Sequence, residues 1–133
     1  MTWQQLEQEL QLLTQKLSNF SPDIIVGIVR GGMIPARLLS TYLDIKTVYC
    51  LNVQKQNDGR KVTVEITDDV TNKKILLVED MLETGKSLIV AKEYLENKGA
   101  VVKTACLYTM PTSEFKPDYF LKEIDKSVHF PWE

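Results

Sequence analysis

Three acidic residues and a Thr-Gly-Lys-Ser run lie close together in the chain. Glu79 and Asp80 directly follow the apolar residues 75–78, and Glu83 comes three positions after Asp80. Residues 84–87 then read Thr-Gly-Lys-Ser. Carboxylates accept hydrogen bonds and bind hard cations, whereas hydroxyl, ammonium and backbone N–H groups donate to anions. The stretch therefore combines the chemistry of a hydroxyl or cation site with that of a phosphate site.

The run at residues 84–87 has two interpretations. It lies between an apolar, strand-like run and a helical pattern, where successive backbone N–H groups and the helix N-terminus attract an anion. A Walker A motif is excluded, because that motif needs a glycine at position 80, where this chain has Asp80. The alternative is an ordinary helix start, with Thr84 or Ser87 as the N-cap residue.

The adjacent acids favour a ligand. Two like charges beside buried Leu77 and Val78 destabilise a fold unless something compensates them. The cis-diol of a sugar does so by donating two hydrogen bonds, and a hydrated divalent cation does so by charge. A sugar phosphate accounts for the whole stretch, with its phosphate on residues 84–87, its sugar on 79–80 and Glu83 on the anomeric side.

Hydrophobic periodicity predicts the elements that must position this stretch. Leucines recur at helical spacing near the N-terminus, where Thr2 and Gln5 fit a capping box. Short apolar runs indicate buried strands, and an Asp-Gly turn within 54–60 predicts a hairpin. A further short strand is predicted near 119–124. The predicted helices span 2–18, 33–43 and 87–99, and the other predicted strands span 23–29, 46–53, 61–67, 73–79 and 100–109.

This alternation of strands and helices predicts an α/β fold with a central, mainly parallel sheet flanked by helices. We expect a single domain over residues 1–133, with an N-terminal helix in 1–20 and a short, irregular tail in 110–133. Ligands of such sheets bind beyond the carboxyl ends of the strands. Both the Arg30-Gly31 pair and residues 79–87 are predicted to lie there.

Composition limits the classes of function. The chain has 133 residues, of which 44% are hydrophobic and 26% charged, with a net charge of -2. These values are ordinary for a globular protein and give no electrostatic case for binding nucleic acid or a membrane. No apolar run reaches the roughly 18 residues of a membrane span. Cys50 and Cys106 lie in apolar runs and are predicted to be buried free thiols, so we expect a soluble cytoplasmic protein.

Two segments carry a resemblance to a known family. The sequence “ILLVEDMLETGKSL” at 75–88 resembles the 5-phosphoribosyl-1-pyrophosphate (PRPP) signature of type I phosphoribosyltransferases, in the variant of the hypoxanthine-guanine and xanthine-guanine branch. The sequence “IVGIVRGGMIPARLLS” at 25–40 resembles that branch's pyrophosphate-binding loop. The resemblance covers residues 23–110 and implies the type I phosphoribosyltransferase fold, with 110–133 as its hood. It implies purine salvage: Mg²⁺-dependent transfer of a phosphoribosyl group from PRPP to a purine base, with release of pyrophosphate.

The resemblance also implies roles for individual residues. Glu79 and Asp80 would hold the ribose hydroxyls and lie at the Mg²⁺ ion. Glu83 would handle the N7 proton of the base or its hydrogen bond. The residues that would wrap the 5-phosphate are Glu83, Thr84, Gly85, Lys86 and Ser87.

The leaving pyrophosphate has its own expected partners. Arg30 and Gly31 would donate to it, and the peptide joining them is often cis in the family. Residues 54–61 fall where relatives have a mobile loop that closes over the reaction and excludes water. From this loop Lys55, Arg60 or Lys61 would meet the pyrophosphate.

Two positions depart from the family pattern. Glu83 stands where relatives usually have aspartate, so its carboxylate is displaced by about one bond length, an error in position that can cost about 10²-fold in rate. Met110 stands where purine relatives have a lysine that bonds the 6-oxo group. A thioether cannot donate, so recognition of a 6-oxopurine would use backbone groups, Lys116 or another mode.

The aromatic residues of the tail offer a partial replacement. Trp132, with Phe130, would stack on a flat base, or both would merely pin the C-terminus to the core. His129 is the only histidine and is predicted to be packed or solvent-facing. Trp3 and the first-helix leucines are predicted to be core or dimer contacts.

Purine phosphoribosyl transfer is thus the leading hypothesis, with two alternatives. The first is a PRPP- or nucleotide-binding regulator without turnover, which the missing lysine favours and the lack of a basic surface opposes. The second is a phosphoribosyltransferase that acts on a non-purine acceptor. The resemblance also implies a homodimer or homotetramer.

Overall fold

A computed structural model describes residues Met1–Glu133. None of its helices combines the length and apolarity needed to cross a bilayer. The helices are α1 (Trp3–Lys16), α2 (Met33–Leu43) and α3 (Lys86–Asn97). The strands are β1 (Ile24–Val29), β2 (Val48–Gln56), β3 (Gly59–Val64), β4 (Lys74–Val78), β5 (Met81–Leu82), β6 (Val101–Ala105), β7 (Tyr108–Thr109) and β8 (Lys122–Glu123).

The central sheet has five strands in the order β3-β2-β1-β4-β6. Strands β2, β1, β4 and β6 are parallel, and β3 alone runs antiparallel, as the second strand of a hairpin with β2. This confirms the predicted mainly parallel α/β sheet. Strand β1 pairs with β4, with Gly27 opposite Val78. The residues that follow these two strands therefore leave the sheet side by side.

Both faces of the sheet are covered because β1 and β4 are apolar at successive positions. Val26 and Leu77 point into the core cluster that α3 completes with Leu88 and Leu95. Ile25, Leu76 and Val78 point to the opposite face, where they join a second cluster. That second cluster contains the α1 leucines, α2 and the hood residues. Packing on both faces makes a strand rigid, so the residues that directly follow the strand have a fixed position.

The predicted helices match the observed ones closely. Helix α1 begins after Thr2, whose hydroxyl accepts from Gln5 N–H at 3.1 Å while Thr2 N–H donates to Gln5 Oε1 at 2.8 Å. This confirms the predicted capping box. Leu6, Leu10 and Leu13 are buried beneath the helix. Trp3 is 55% exposed, so it does not belong to the core of the chain.

The predicted strand 100–109 is wrong in its continuity. Strand β6 ends at Ala105, and β7 belongs to a separate three-stranded sheet in the order β5-β7-β8. The break arises because Asp80 C=O accepts from both Leu107 N–H, at 3.0 Å, and Tyr108 N–H, at 3.4 Å. The short strand predicted near 119–124 is present as β8, and this small sheet supports the hood.

Two further details differ from expectation. The cis peptide bond joins Val29 to Arg30, one residue before the predicted pair. Cys106 is a buried free thiol, whereas Cys50 is free and only half-buried. Burial, with the charges of Glu79 and Asp80, raises the pKa of the Cys106 thiol, which makes it a poor nucleophile.

Candidate active site

The ends of β1 and β4 bring two of the predicted segments into contact. A Cβ atom built on Gly31 would lie 2.6 Å from Asp80 Cγ and 2.7 Å from Asp80 Oδ1. One built on Gly32 would lie 2.7 Å from Ile28 N and would overlap Val78 O. The two glycines therefore allow the turn after β1 to lie against the acids after β4.

Glu79 and Asp80 are both half-buried at this edge. Burial, together with the charge of Asp80, raises the pKa of Glu79 to about 8, and Arg60 offsets part of this shift. Burial also raises the pKa of Asp80, although Met81 N–H donates to Asp80 Oδ1 at 2.6 Å and works in the opposite direction. A proton, a cation or a ligand that donates hydrogen bonds would offset the repulsion and the burial cost of these two carboxylates.

The acids line a cavity of about 800 Å³. Arg30 and Gly31 contribute one side of it, as predicted, and Trp132 contributes another. Arg60, in the β2–β3 hairpin, is near enough for its charge to act on Glu79. The remaining lining residues are Met33, Ile34 and Glu133. The cavity thus places one basic side chain, Arg30, and an aromatic wall beside the acid pair, and Arg60 acts on the pair from outside the cavity lining.

Residues 83–87, the predicted phosphate loop, lie at the start of α3. Gly85 is the N-cap residue, with φ of 78°, and no side chain caps the helix. The alternative of Thr84 or Ser87 as an ordinary N-cap is therefore wrong. Thr84 Oγ1 accepts only a long bond, 3.4 Å, from Lys86 N–H. Because Thr84 and Lys86 are exposed, the first-turn N–H groups remain available to an anion.

Glu83 and Met110 are neighbours at the ends of adjacent strands. Leu82 in β5 is in register with Thr109 in β7, and Met110 N–H donates to Leu82 C=O at 2.9 Å. The Glu83 side chain is exposed and Met110 is half-buried. Glu83 and Met110, the two positions that depart from the family pattern, therefore lie next to each other.

Comparison with known proteins identifies the family. The phosphoribosyl transferase domain family matches residues 2–133. The chain belongs to this family. A xanthine-guanine phosphoribosyltransferase of Ruegeria sp. strain TM1040 is 28% identical over 99% of this chain and 83% of its own length.

Solved structures show the same fold. The purine phosphoribosyltransferase of Pyrococcus horikoshii is 35% identical, with a TM-score of 0.92 over 100% of this chain and 92% of that one. The xanthine-guanine-hypoxanthine phosphoribosyltransferase of Helicobacter pylori has a TM-score of 0.87 over 100% of this chain and 91% of that one, at 24% identity. The predicted type I phosphoribosyltransferase fold is confirmed.

Within this phosphoribosyltransferase, Met110 and Trp132, which are both predicted to face a base, lie apart. Met110 lines a separate cavity of about 430 Å³ that also contains Lys116, whereas Trp132 lines the cavity of the acids. Phe130 is only 3% exposed and faces neither cavity. Its ring stacks on Trp132, with centroids 4.8 Å apart, and on Tyr108, at 6.2 Å. Phe130 therefore packs behind Trp132 and supports its ring.

Other site residues were not predicted. Met33 and Ile34, in the first turn of α2, line the cavity because they follow the Arg30-Gly31 turn. Their position directly after this turn in the sequence could have predicted that they line the site. Glu133 lines it too, and its charge helps to raise the pKa of Asp80. No sequence pattern pointed to Glu133. His129 is solvent-facing, and its Nδ1 lies 3.4 Å from Glu133 Oε2.

Proposed function

We propose that this protein transfers the 5-phosphoribosyl group of PRPP to N9 of a purine base and releases pyrophosphate. The observation that carries the proposal is the acid pair that directly follows strand β4, a few residues before the uncapped start of α3. This arrangement suits a sugar on the acids and a phosphate on the loop. The named relatives, which are xanthine-guanine and purine phosphoribosyltransferases, support a purine acceptor.

Each part of PRPP has partners in this arrangement. The carboxylates of Glu79 and Asp80 accept from the ribose hydroxyls. The backbone N–H groups of Thr84–Ser87, the two hydroxyls and the Lys86 ammonium bind the 5-phosphate. Arg30 and the Gly31 N–H donate to the pyrophosphate, which Arg60 of the β2–β3 hairpin approaches from the other side.

The acid pair also fits a magnesium ion. Two adjacent, half-buried carboxylates with raised pKa values gain from a cation, and no salt bridge within the chain supplies one. The chain presents no cluster of three or more ligating side chains. Mg²⁺ accepts such a site because it keeps several waters and uses substrate oxygens as ligands. Bound with PRPP, it would neutralise charge on the pyrophosphate.

In the transfer, the bond from the anomeric carbon to pyrophosphate oxygen breaks and its electron pair leaves with pyrophosphate. The N9 lone pair of the base forms the new bond, and the base loses one proton. Positive charge develops at the anomeric carbon, so the nearby carboxylates stabilise it. Glu83 accepts the base proton or its N7 hydrogen bond. The protein otherwise contributes positioning and exclusion of water.

Base recognition is assigned to two surfaces. Trp132 provides an aromatic wall of the main cavity, with Phe130 holding its ring. Met110 packs against the base edge beside Glu83, and Lys116 or backbone groups supply the donor that Met110 lacks. We further propose that the protein acts in the cytoplasm as a homodimer or homotetramer, and that residues 1–133 act as one domain.

A panel assay tests the function. The protein is incubated with PRPP, Mg²⁺ and hypoxanthine, guanine, xanthine or a non-purine base, and pyrophosphate release is measured. Turnover with one of the three purines is expected. Turnover only with another acceptor would assign a different substrate, and PRPP binding without any turnover would favour a regulator. Asp80→Asn should weaken PRPP binding, and unchanged affinity would overturn the ribose assignment.

A further inference from the structure

A short segment after β7 is fastened to the phosphate loop. Thr112 Oγ1 donates to Glu83 C=O at 2.7 Å. Glu114 N–H donates to Thr84 C=O at 2.8 Å. We call residues 112–114 the clasp. Both bonds are accepted by backbone carbonyl groups of the phosphate loop. They therefore fix the orientation of the two consecutive peptides to which these carbonyls belong.

The clasp also fits closely against the loop backbone. A Cβ atom on Gly85 would lie 2.8 Å from Ser113 Oγ and 3.0 Å from Phe115 Cβ. Phe115 anchors the segment, because its ring packs against the core cluster under α3 and lies 5.6 Å from Lys92 Nζ. The clasp is therefore a fixed support, and the loop rests on it.

The other end of the same segment reaches the proposed base site. Ser113 N–H donates to Met110 C=O at 3.0 Å and closes a turn. Met110 is itself bonded to Leu82, beside Glu83. One turn of chain thus connects the position facing the acceptor with the loop facing the phosphate.

The phosphate loop needs this external support. No side chain caps α3, and the loop's own side chains give it only the 3.4 Å bond between Lys86 N–H and Thr84 Oγ1. Thr112 is exposed, so burial of its side chain does not explain its short bond to a residue 29 positions away. The hydroxyl of Thr112 therefore fixes the conformation of the loop through this bond, which an apolar side chain of the same shape could not donate.

We propose that Thr112 is a positioning residue for the phosphate loop. Its hydroxyl holds the Glu83 carbonyl so that the N–H groups of residues 84–87 converge on one anion. This inference rests on the proposed function only in taking that anion to be the 5-phosphate of PRPP. Through Met110, the same segment links phosphate binding to the acceptor site.

Three variants test the role of the hydroxyl. Thr112→Val removes it and keeps the shape, and Thr112→Ser keeps it. Thr71→Val is the matched control, because Thr71 is also exposed and its Oγ1 donates to a distant carbonyl, that of Lys98, at 3.4 Å. Thr71 lies before β4, at the end of the sheet opposite the site.

The first measurement is amide hydrogen exchange of the free protein. The reporter is the Glu114 amide, whose N–H donates to Thr84 C=O in the phosphate loop. Thr112→Val should accelerate its exchange about three- to tenfold, as expected for loss of one neighbouring hydrogen bond. Thr112→Ser and Thr71→Val should leave its exchange within about twofold of the wild type. Unchanged exchange in Thr112→Val would overturn the proposal, whether or not the protein turns over any base.

The second measurement is calorimetric binding of PRPP with Mg²⁺, followed by initial rates. Thr112→Val should raise Kd and KM for PRPP about three- to tenfold, with kcat at saturating PRPP within about twofold. A serine variant as impaired as the valine variant would contradict the role of the hydroxyl. If the wild type binds PRPP but turns over no base, the proposed function fails while the exchange and Kd results still decide the role of Thr112.

Discussion

The carboxylate of Asp80 occupies the space in which a side chain at position 31 would begin. The ideal Cβ position of Gly31 lies 2.6 Å from Asp80 Cγ. The turn after β1 and the acids after β4 are therefore fitted to each other, and this fit requires that residue 31 lack a side chain. This contact joins the proposed pyrophosphate and ribose positions into one unit.

Gly31→Ala should displace Asp80 and lower the free energy of unfolding by about 1–3 kcal/mol, as for overpacking of a closely fitted site. PRPP affinity should fall as well. Chemical denaturation and calorimetry measure the two effects. Since the clash needs both groups, adding Asp80→Gly should restore much of the lost stability but not the affinity. Additive stability losses in the double variant would contradict the contact.

Glu79 should make the stability of the unliganded protein fall as pH rises. Its pKa of about 8 in the fold exceeds its ordinary value of 4.5, so the folded state holds a proton that the unfolded state has lost. The contribution of Glu79 to the free energy of unfolding is complete below about pH 4.5, declines between about pH 4.5 and 8, and is lost above about pH 8.

Denaturation at about pH 5 and 6.5, within this interval, and at about pH 8.5, beyond it, measures the slope. Glu79→Gln cannot titrate and should flatten it. Equal slopes in the variant and the wild type would show that the Glu79 carboxyl is not the group responsible.

Lys86 should matter for binding and not for folding. Its ion pair with Glu114 is long, 3.9 Å, and both side chains are at least half exposed, so it adds little to stability. Lys86→Ala should weaken PRPP binding about tenfold or more and change the free energy of unfolding by less than about 0.5 kcal/mol. Lys98→Ala, at the other end of α3, is the control and should leave affinity unchanged.

Glu114→Gln extends this test. It removes a negative charge near the proposed phosphate position and releases Lys86, so PRPP should bind about two- to threefold more tightly, with less gain at high salt. Weaker binding by this variant would indicate that Glu114 supports the loop through its side chain as well as its backbone.

Trp132 should report on the cavity by fluorescence. The chain has two tryptophans, so Trp3→Phe leaves Trp132 as the single emitter. Because Trp132 lines the same cavity as Glu79 and Asp80, PRPP with Mg²⁺ should change its emission. The reciprocal variant Trp132→Phe keeps only Trp3, whose ring centroid lies 6.3 Å from that of Trp132 but which does not line the cavity, so its response should be smaller. A ligand-insensitive Trp132 in active protein would place the substrate elsewhere.

The sequence by itself determined the central sheet, its helices and the placement of the acids and the Thr-Gly-Lys-Ser run at the end of a buried strand. Those features depend on local order: apolar runs of strand length, a capping box, and acids followed by a Thr-Gly-Lys-Ser run. Residues adjacent in sequence stay adjacent after folding, so the acids and the proposed phosphate loop could be predicted to lie close together. The buried double-faced strands β1 and β4 then required their ends to meet.

Only the tertiary structure decided which distant residues share a surface. The break after Ala105 depends on Asp80 C=O, which captures the N–H groups of Leu107 and Tyr108. Met110 and Trp132 line different cavities, and stacking on Tyr108 and Trp132 buries Phe130. The bond of Thr112 to Glu83 spans 29 positions. Such contacts depend on packing between elements, and no local pattern of residues encodes them.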